Sequence, residues 1–552
     1  MKNYSYILLL VIGVLSCKSE TKEALVEPIP VNFNGIKVQI DNQSGVLTYT
    51  NVGINPIIKV SFGATINMAS AKSAIIFNDG ATDVDFQLST ENKDSILVIK
   101  PTKPLGSLIK YYLNMDEKLE SKNGGKLKNA VRINFTTQLD LTDKFPRISD
   151  EELLTLVQKQ TFKYFWDFAH PVSGLARERN TSGDVVTSGG SGFGIMTIPV
   201  AIERKFITHA EGLARIQKVV SFLKNNTETF HGAFPHWLHG ATGKAVPFST
   251  KDNGADLVET SFLMQGLLTV RQYFNGQNDA EIALRNDINA LWNAVEWDWF
   301  RKNNENILYW HWSPNYNWDI NLPIKGWNEC LITYVLAASS TTHPIDKTVY
   351  QNGFAGNGNM QNGQSYFGIK LPLGNPNGGP LFFSQYSFLG LDPTALQDQY
   401  ANYFEQNKNH TLINRQYCIE NPKKYAGYSA DSWGLTASDI PNGYNANSPS
   451  SDRGVITPTA AISSMPYTAS ESMTALRFFY YQLGDKIWGE YGFKDAFSLQ
   501  DQWFADSYLA IDQGPIIIMI ENHRSQLLWN LFMSCPEVKK GLKKLEFSSK
   551  HL

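Results

Sequence analysis

KDNGADLVETSFLMQGLL, Lys251–Leu268, is the stretch on which the fold turns. Asp252, Asp256 and Glu259 stand four and three residues apart and run straight into apolar sequence. Residues at those spacings lie on one side of a helix. Asp256 and Glu259 share their side with Leu263 and Leu267, so the acids point inward with the leucines rather than to bulk water. Asp252 reads as the residue that helps to start the helix, by capping its amides or by favouring its dipole.

The same helical period extends over residues 146–545. Ser149 and Glu152 form a capping box, and Leu153, Val157, Tyr164 and Phe168 make a stripe that ends at Pro171. Thr208 and Glu211 repeat the box ahead of Leu213, Ile216, Val220 and Leu223. Asp392-Pro393 reads as the opening of a further helix. Between the helices lie long loops rich in Gly, Asn and aromatics, such as residues 353–380, and loops of that length in a folded domain are usually functional. No fixed short repeat marks a solenoid. Helix pairs in two concentric rings, an α/α toroid with a cleft shaped by loops at one end, fit this pattern.

Residues 28–140 have another texture. Short alternating runs (GIKVQID, GVLTYT, IIKVSFG, DFQLST, DSILVIK, IKYYLNM, AVRINFTT) are punctuated by turn residues. Seven such strands predict an immunoglobulin-like sandwich, here without the cysteine pair of antibody domains. Ahead of it, Lys2 precedes the apolar run YILLLVIGVL, too short for a stable membrane span, and then Ser16-Cys17. Residues 1–17 therefore read as a signal peptide with a lipobox-like Cys17, carrying Val14 where Leu is usual, and 18–27 as a tether. The expectation is an exported bacterial lipoprotein, anchored to a membrane through lipidated Cys17, on the periplasmic or outer-membrane side.

Composition narrows the function. Of 552 residues 18% are charged and the net charge is −3, with no basic field to attract nucleic acid. Four cysteines in no CxxC or Cys/His pattern give neither a disulfide framework nor a metal motif. Aromatics reach 12%, much of which must be core packing, and flat rings also stack on sugars, so the content fits carbohydrate work.

Five pieces carry a family resemblance: SGGSGFGIMTIPVAIER, KDNGADLVETSFLMQGLL, GWNECLITYVLAASS, GPLFFSQYSFLGLDP and IDQGPIIIMIENHRSQLLW. Together they resemble the bacterial glucoamylase-like domain of glycoside hydrolase family 144. The resemblance implies an (α/α)6 barrel behind the Ig-like module, hydrolysis of β-1,2-glucan with inversion, and no metal or organic cofactor. An Ig-like module is similar to that of members releasing sophorose from a chain end, and a monomer acting on a glucan or oligosaccharide is expected. Endo action, another glucan, and transglycosylation are alternatives, as is a non-catalytic glycan-binding surface lipoprotein. His523 departs from the family's usual Tyr, which implies an altered subsite.

Inverting hydrolysis needs two carboxyls about 6.5–9.5 Å apart across the scissile bond. One helical turn separates side chains by only about 5–6 Å, so Asp256 and Glu259 are poorly placed as the opposed pair. They read as one wall of a cleft, with at most one of them in the reaction. Glu329 stands at a loop-to-helix junction beside Trp327, where burial can keep it protonated, which makes it the sharper candidate for the acid, and the resemblance implies that it is catalytic. Asp512, ahead of the Gly514-Pro515 turn, is the chosen base, with Asp431 beside Trp433 in reserve. Arg177, Arg179, His236, Trp237, Trp327 and Asp252 are expected around the substrate. Glu521 and Arg524 form either a substrate contact or a structural ion pair. The YWHWSPNYNW cluster, with Trp310, Trp312, Tyr316 and Trp318, divides between loop core and sugar stacking.

Overall fold

Alternation dictates the first unit. The computed structural model describes Met1 and residues 29–552, so Cys17, the tether and nearly all of the signal segment lie outside the described residues. The chain divides into two units, Met1–Asp140 and Leu141–Leu552. In the first, Ile58, Val60 and Phe62 of one strand are buried while Lys59 and Ser61 are only partly so, the period-two pattern of a sheet with one covered face. One sheet runs Gln43–Ser44, Gly35–Ile40, Ile58–Phe62, Ile96–Pro101, Phe86–Glu91. The other runs Thr48–Val52, Val131–Thr137, Lys110–Met115, Ile75–Asn78. Each of the seven expected strands is present. Tyr49, Phe77, Tyr111 and Phe135 fill the space between the sheets, which makes the unit an Ig-like sandwich.

In the second unit the helices fall into two kinds. Asp150–Trp166 and His209–Asn225 each carry the expected capping box and a buried stripe along one face. With Asp279–Ala294, Tyr403–Glu420 and Ala469–Arg477 they form the outer layer. Ser188–Glu203, Leu257–Tyr273, Leu331–Ser339 and Ala510–Ser525 are instead buried on nearly every side, and their apolar, Gly- and Ala-rich sequences suit an inner ring. Ser188–Glu203 packs between Leu257–Tyr273 and Ala510–Ser525. The ring closes through Leu331–Ser339, the 3-10 turns around Tyr386, and Pro458–Ile462. The architecture is an α/α barrel. Among the described residues no helix is long and apolar enough to cross a membrane.

Two expectations fail locally. Asp392-Pro393 opens no helix. Asp392 is fully buried, accepts a bond from the Thr394 N–H at 2.8 Å, and pairs with Lys550 at 2.9 Å and His551 at 2.8 Å. The acid anchors the C-terminus and so spends the oxygens a helix cap would use. The Gly514-Pro515 pair makes no turn either. It lies within Ala510–Ser525, where Pro515 has no N–H to give the Ile511 carbonyl, so this inner helix forgoes one backbone bond.

Glycine lets two inner helices meet with no side chain between them. A Cβ on Gly192 would sit 2.2 Å from the Phe262 carbonyl oxygen, and one on Gly266 2.2 Å from that of Gly192. The helices Ser188–Glu203 and Leu257–Tyr273 therefore touch backbone to backbone. Gly192→Ala should lower the unfolding free energy of the barrel by at least about 1–3 kcal/mol, because the added methyl meets backbone that cannot rotate away. Urea unfolding followed by tryptophan fluorescence measures this, and a midpoint equal to that of the unsubstituted protein would refute it.

Candidate active site

The inner helices present their N-terminal ends to one place. Asp256 is the N-cap of Leu257–Tyr273: its Oδ1 accepts the Val258 and Glu259 N–H groups at 3.0 and 2.9 Å. The cap is thus Asp256, not Asp252. Its Oδ2 faces His236 Nδ1 at 3.0 Å and His311 Nε2 at 3.6 Å. Asp252 joins the group through His311 Nε2 at 3.4 Å. One turn on, Glu259 Oε2 accepts the Gly189 N–H at 2.8 Å and the Thr187 hydroxyl at 3.4 Å, both at the start of Ser188–Glu203. Partial positive charge at two helix starts thereby meets buried acids.

Charge decides how these groups titrate. Burial works to neutralise Asp256, but the bonds and charges of His236 and His311 hold its carboxyl well below the usual range. Burial likewise disfavours a charged His236, yet Glu259, the bond to Asp256 and the charges of Asp256 and Asp252 lift it to about 9. Glu259 and Asp252 are pushed up by burial and then by Asp256. Donor atoms of His236, Asp252 and Asp256 lie within 4.8 Å of one another, close enough for a metal ion. Both Asp256 oxygens are already committed to N–H groups, Oδ1 to the Val258 and Glu259 amides and Oδ2 to His236.

Glu329 stands just before Leu331–Ser339, half-buried, with its carbonyl held by the Ser387 hydroxyl. Burial, reinforced by the charges of Glu259 and Asp256, lifts its carboxyl to about 7. Asp512 occupies the first turn of Ala510–Ser525 and senses a different set of charges: Asp495, Asp439 and Arg179. Tyr386, 6% exposed, is within electrostatic reach of both sets, since Asp512, Tyr444, Glu329 and Glu259 all oppose loss of its proton. A cleft of about 370 Å³ is lined by Glu259, His236, Trp237, Phe248, Arg179 and Tyr444. A wider one of about 670 Å³ continues it, sharing Arg179 and Tyr444 and adding Trp503 and Phe504.

The structure brings together Asp252, Asp256, Glu259, Glu329, His236 and Trp237, with Asp512 on a neighbouring helix start. Other expected residues lie elsewhere. Arg177 is spent on the carbonyls of Phe168 and Gly183 and stacks 5.0 Å from the Phe168 ring, so it ties a loop rather than a sugar. Glu521 binds Arg204 through two bonds of 2.8 Å. Arg524 reaches Gln158 at 2.8 Å and Glu151 at 2.7 Å. Both close the far, C-terminal end of an inner helix, so the structural alternative for this pair holds and the partners differ from those expected. His523 is exposed at that same end and makes no subsite. Trp327 packs on Phe388 and Tyr403, and Trp433 is fully buried, so neither ring is open to a sugar. Asp431 is exposed on a surface turn. His311, Tyr386, Tyr444, Asp439 and Asp495 escape the sequence reading. Only His311 carried a signal, its place in the aromatic cluster that pairs with the Asp256 strand at His311↔Asp256.

A His raised from 6.5 to about 9 stabilises the fold below its ordinary value and loses that contribution as pH climbs to about 9. The unfolding free energy of the unsubstituted protein should exceed that of His236→Gln by on the order of 2–3 kcal/mol at the low end of this window. The gap should close toward the high end. Denaturant melts at several pH values measure it, and a gap independent of pH would contradict the charge assignment.

Comparison with known proteins places the chain. Residues 321–536 match the family described as "Putative glucoamylase", and residues 37–137 match the bacterial Ig-like domain. An exo β-1,2-glucooligosaccharide sophorohydrolase (non-reducing end) of Parabacteroides distasonis is 49% identical over 422 residues. That match covers 72% of this chain and 58% of the relative, so the chain spans little more than half the length of that curated protein. The endo-β-1,2-glucanase of Chitinophaga pinensis, solved with sophorotriose and glucose, is 55% identical with a TM-score of 0.72, covering 74% of this chain and all of that one. A β-1,2-glucanase structure from Parabacteroides distasonis is 39% identical with a TM-score of 0.70, covering 94% of this chain and 74% of that one. With its barrel, its Ig-like module and these relatives, the chain belongs to the bacterial glucoamylase-like family, of the type grouped in glycoside hydrolase family 144.

Proposed function

We propose that the protein is an inverting glycoside hydrolase acting on β-1,2-glucan or its oligosaccharides. The observation that carries the reading is the division of acids into two environments that meet at Tyr386. Glu329, raised to about 7, keeps a proton near neutrality and has an open edge from which to give it. It protonates the glycosidic oxygen as the C–O bond breaks. Asp512 takes a proton from the water that attacks the anomeric carbon from the other face, so a β-linked substrate yields an α product. Glu259, His236 and Arg179 offer hydrogen bonds along the cleft, and Trp237 and Phe248 offer flat faces to glucose. Asp256, with every oxygen engaged, sets the charge of this wall rather than moving a proton. Two carboxyls supply both proton transfers, so the scheme calls for neither metal nor organic cofactor.

Sophorose release from a chain end is the favoured mode, supported by likeness to the sophorohydrolase and to a glucanase matched across both units. Endo cleavage has its own support in the 55% identity to the Chitinophaga enzyme. We further propose that the protein is an exported lipoprotein held by Cys17 on the periplasmic or outer-membrane side, and that it acts as a monomer. Loss of membrane association in Cys17→Ala tests the anchor.

Linear β-1,2-glucan should give sophorose whose first-formed anomer is α, read by chromatography and NMR. A ladder of lengths would establish endo cleavage, an initial β anomer would refute inversion, and inert β-1,2-glucan would sink the reading. Glu329→Gln should lower kcat by about 10²–10⁴-fold with little change in KM.

A further inference from the structure

Asp512 is 1% exposed and neither of its carboxyl oxygens meets a donor. Asp495 is 2% exposed and leaves its Oδ1 equally unmet. Buried acids without a donor are rare, and these two lie within side-chain hydrogen-bonding reach of one another, where both cannot ionise. One proton held between them supplies the donor that each lacks. The other Asp495 oxygen is fixed from behind by the Asp439 N–H at 2.7 Å. Asp439 is fixed in turn by Arg179 Nη1 at 3.1 and 3.2 Å and by the Ser507 hydroxyl at 2.6 Å. Arg179 also binds Glu178 at 2.9 and 3.1 Å. A rigid polar chain thus runs from the cleft wall to the back of Asp512 and ends on the free oxygen of Asp495.

Resting on the hydrolytic reading above, we infer that Asp495 is the positioning residue of the base: it shares one proton with Asp512 and so turns the remaining Asp512 oxygen toward the attacking water. The protons balance. At rest the pair holds one proton and one negative charge. As the water oxygen bonds to the anomeric carbon, its proton passes to Asp512, and the leaving oxygen takes the proton of Glu329. The pair is then neutral and Glu329 is an anion. After the products leave, one proton returns from the pair to Glu329 through solvent. The titratable groups facing the pair are Asp439, Arg179, Tyr444 and Tyr386. Burial raises both carboxyls: the charge of Asp439 helps lift Asp495 to about 7 against its bond to Asp512, and Asp495, then Asp439, push Asp512 further up.

Asp495→Asn tests this, since the amide keeps the volume and can still accept the Asp439 N–H. It should drop kcat by about tenfold or more with KM nearly unchanged. The acid limb of kcat/KM should move up by about one pH unit or more, because the single negative charge on Asp512 no longer shares the proton of a second carboxyl. A pH profile that superimposes on that of the unsubstituted enzyme overturns the inference. Infrared difference spectra provide a readout that needs no substrate. The unsubstituted protein should show the carbonyl band of a buried carboxylic acid at neutral pH, lost in both Asp495→Asn and Asp512→Asn. A band that survives Asp495→Asn but not Asp512→Asn means that Asp512 holds the proton alone, and overturns the sharing. If the unsubstituted protein cleaves no β-1,2-glucan, the hydrolytic reading fails while the infrared result still decides whether the proton is shared.

Discussion

The backbone contact between Ser188–Glu203 and Leu257–Tyr273 holds the site in place. At Gly192 and Gly266 the two helices have no room for a side chain. Only at that separation can the Gly189 N–H reach Glu259 at 2.8 Å. Gly189 is itself bound by the same geometry, since a Cβ there would lie 2.4 Å from Glu259 Oε2. The glycines that let the inner ring close are therefore the ones that bring a helix start against an acid. Packing and chemistry are one constraint here, and it explains why a barrel wall built for burial carries so few large side chains at this crossing.

Burial then does two different things to the acids. Around Asp256 it is outweighed, because two imidazoles and two backbone amides sit on one carboxylate and hold it ionised. Around Glu329 and Asp512, among the described residues, no cation is in contact, so burial and neighbouring negative charge raise both carboxyls. The same low-dielectric surroundings thus give a permanent anion in one place and proton carriers in two others. The permanent anion also serves the carriers, since the charge of Asp256 is one reason that Glu329 stays protonated.

Periodicity made the architecture legible. Capping boxes at Ser149 and Thr208 lie where the pattern put them, and seven alternating runs became seven strands. Local spacing also exposed Asp256 and Glu259 as neighbours on one wall. Polar partners across the barrel left no local trace. Glu521 finds Arg204, 317 positions away, and Arg524 finds Glu151, 373 positions away, so a tempting Glu-x-x-Arg cluster dissolves into two separate ion pairs. The tryptophans misled for a related reason: burial of Trp327 and Trp433 depends on which helices meet them, whereas composition registers only that large flat rings are present. Asp495 was invisible because its meaning lies entirely in Asp512, a residue on another element.

Under the hydrolysis we propose, the separation of the two acid environments has a consequence. An acid and a base set side by side would share one field, and whatever raised one would raise the other. Here Glu329 answers to Glu259 and Asp256, while Asp512 answers to Asp495 and Asp439, and Tyr386 senses both. Each can be tuned by its own neighbours without retuning the other. The histidines tune the first set, and the Arg179–Asp439 pair tunes the second. A substrate that displaces water from the cleft strengthens both fields at once. In that reading the neighbours of each acid, rather than solvent, decide which one holds a proton as the bond to the leaving group breaks.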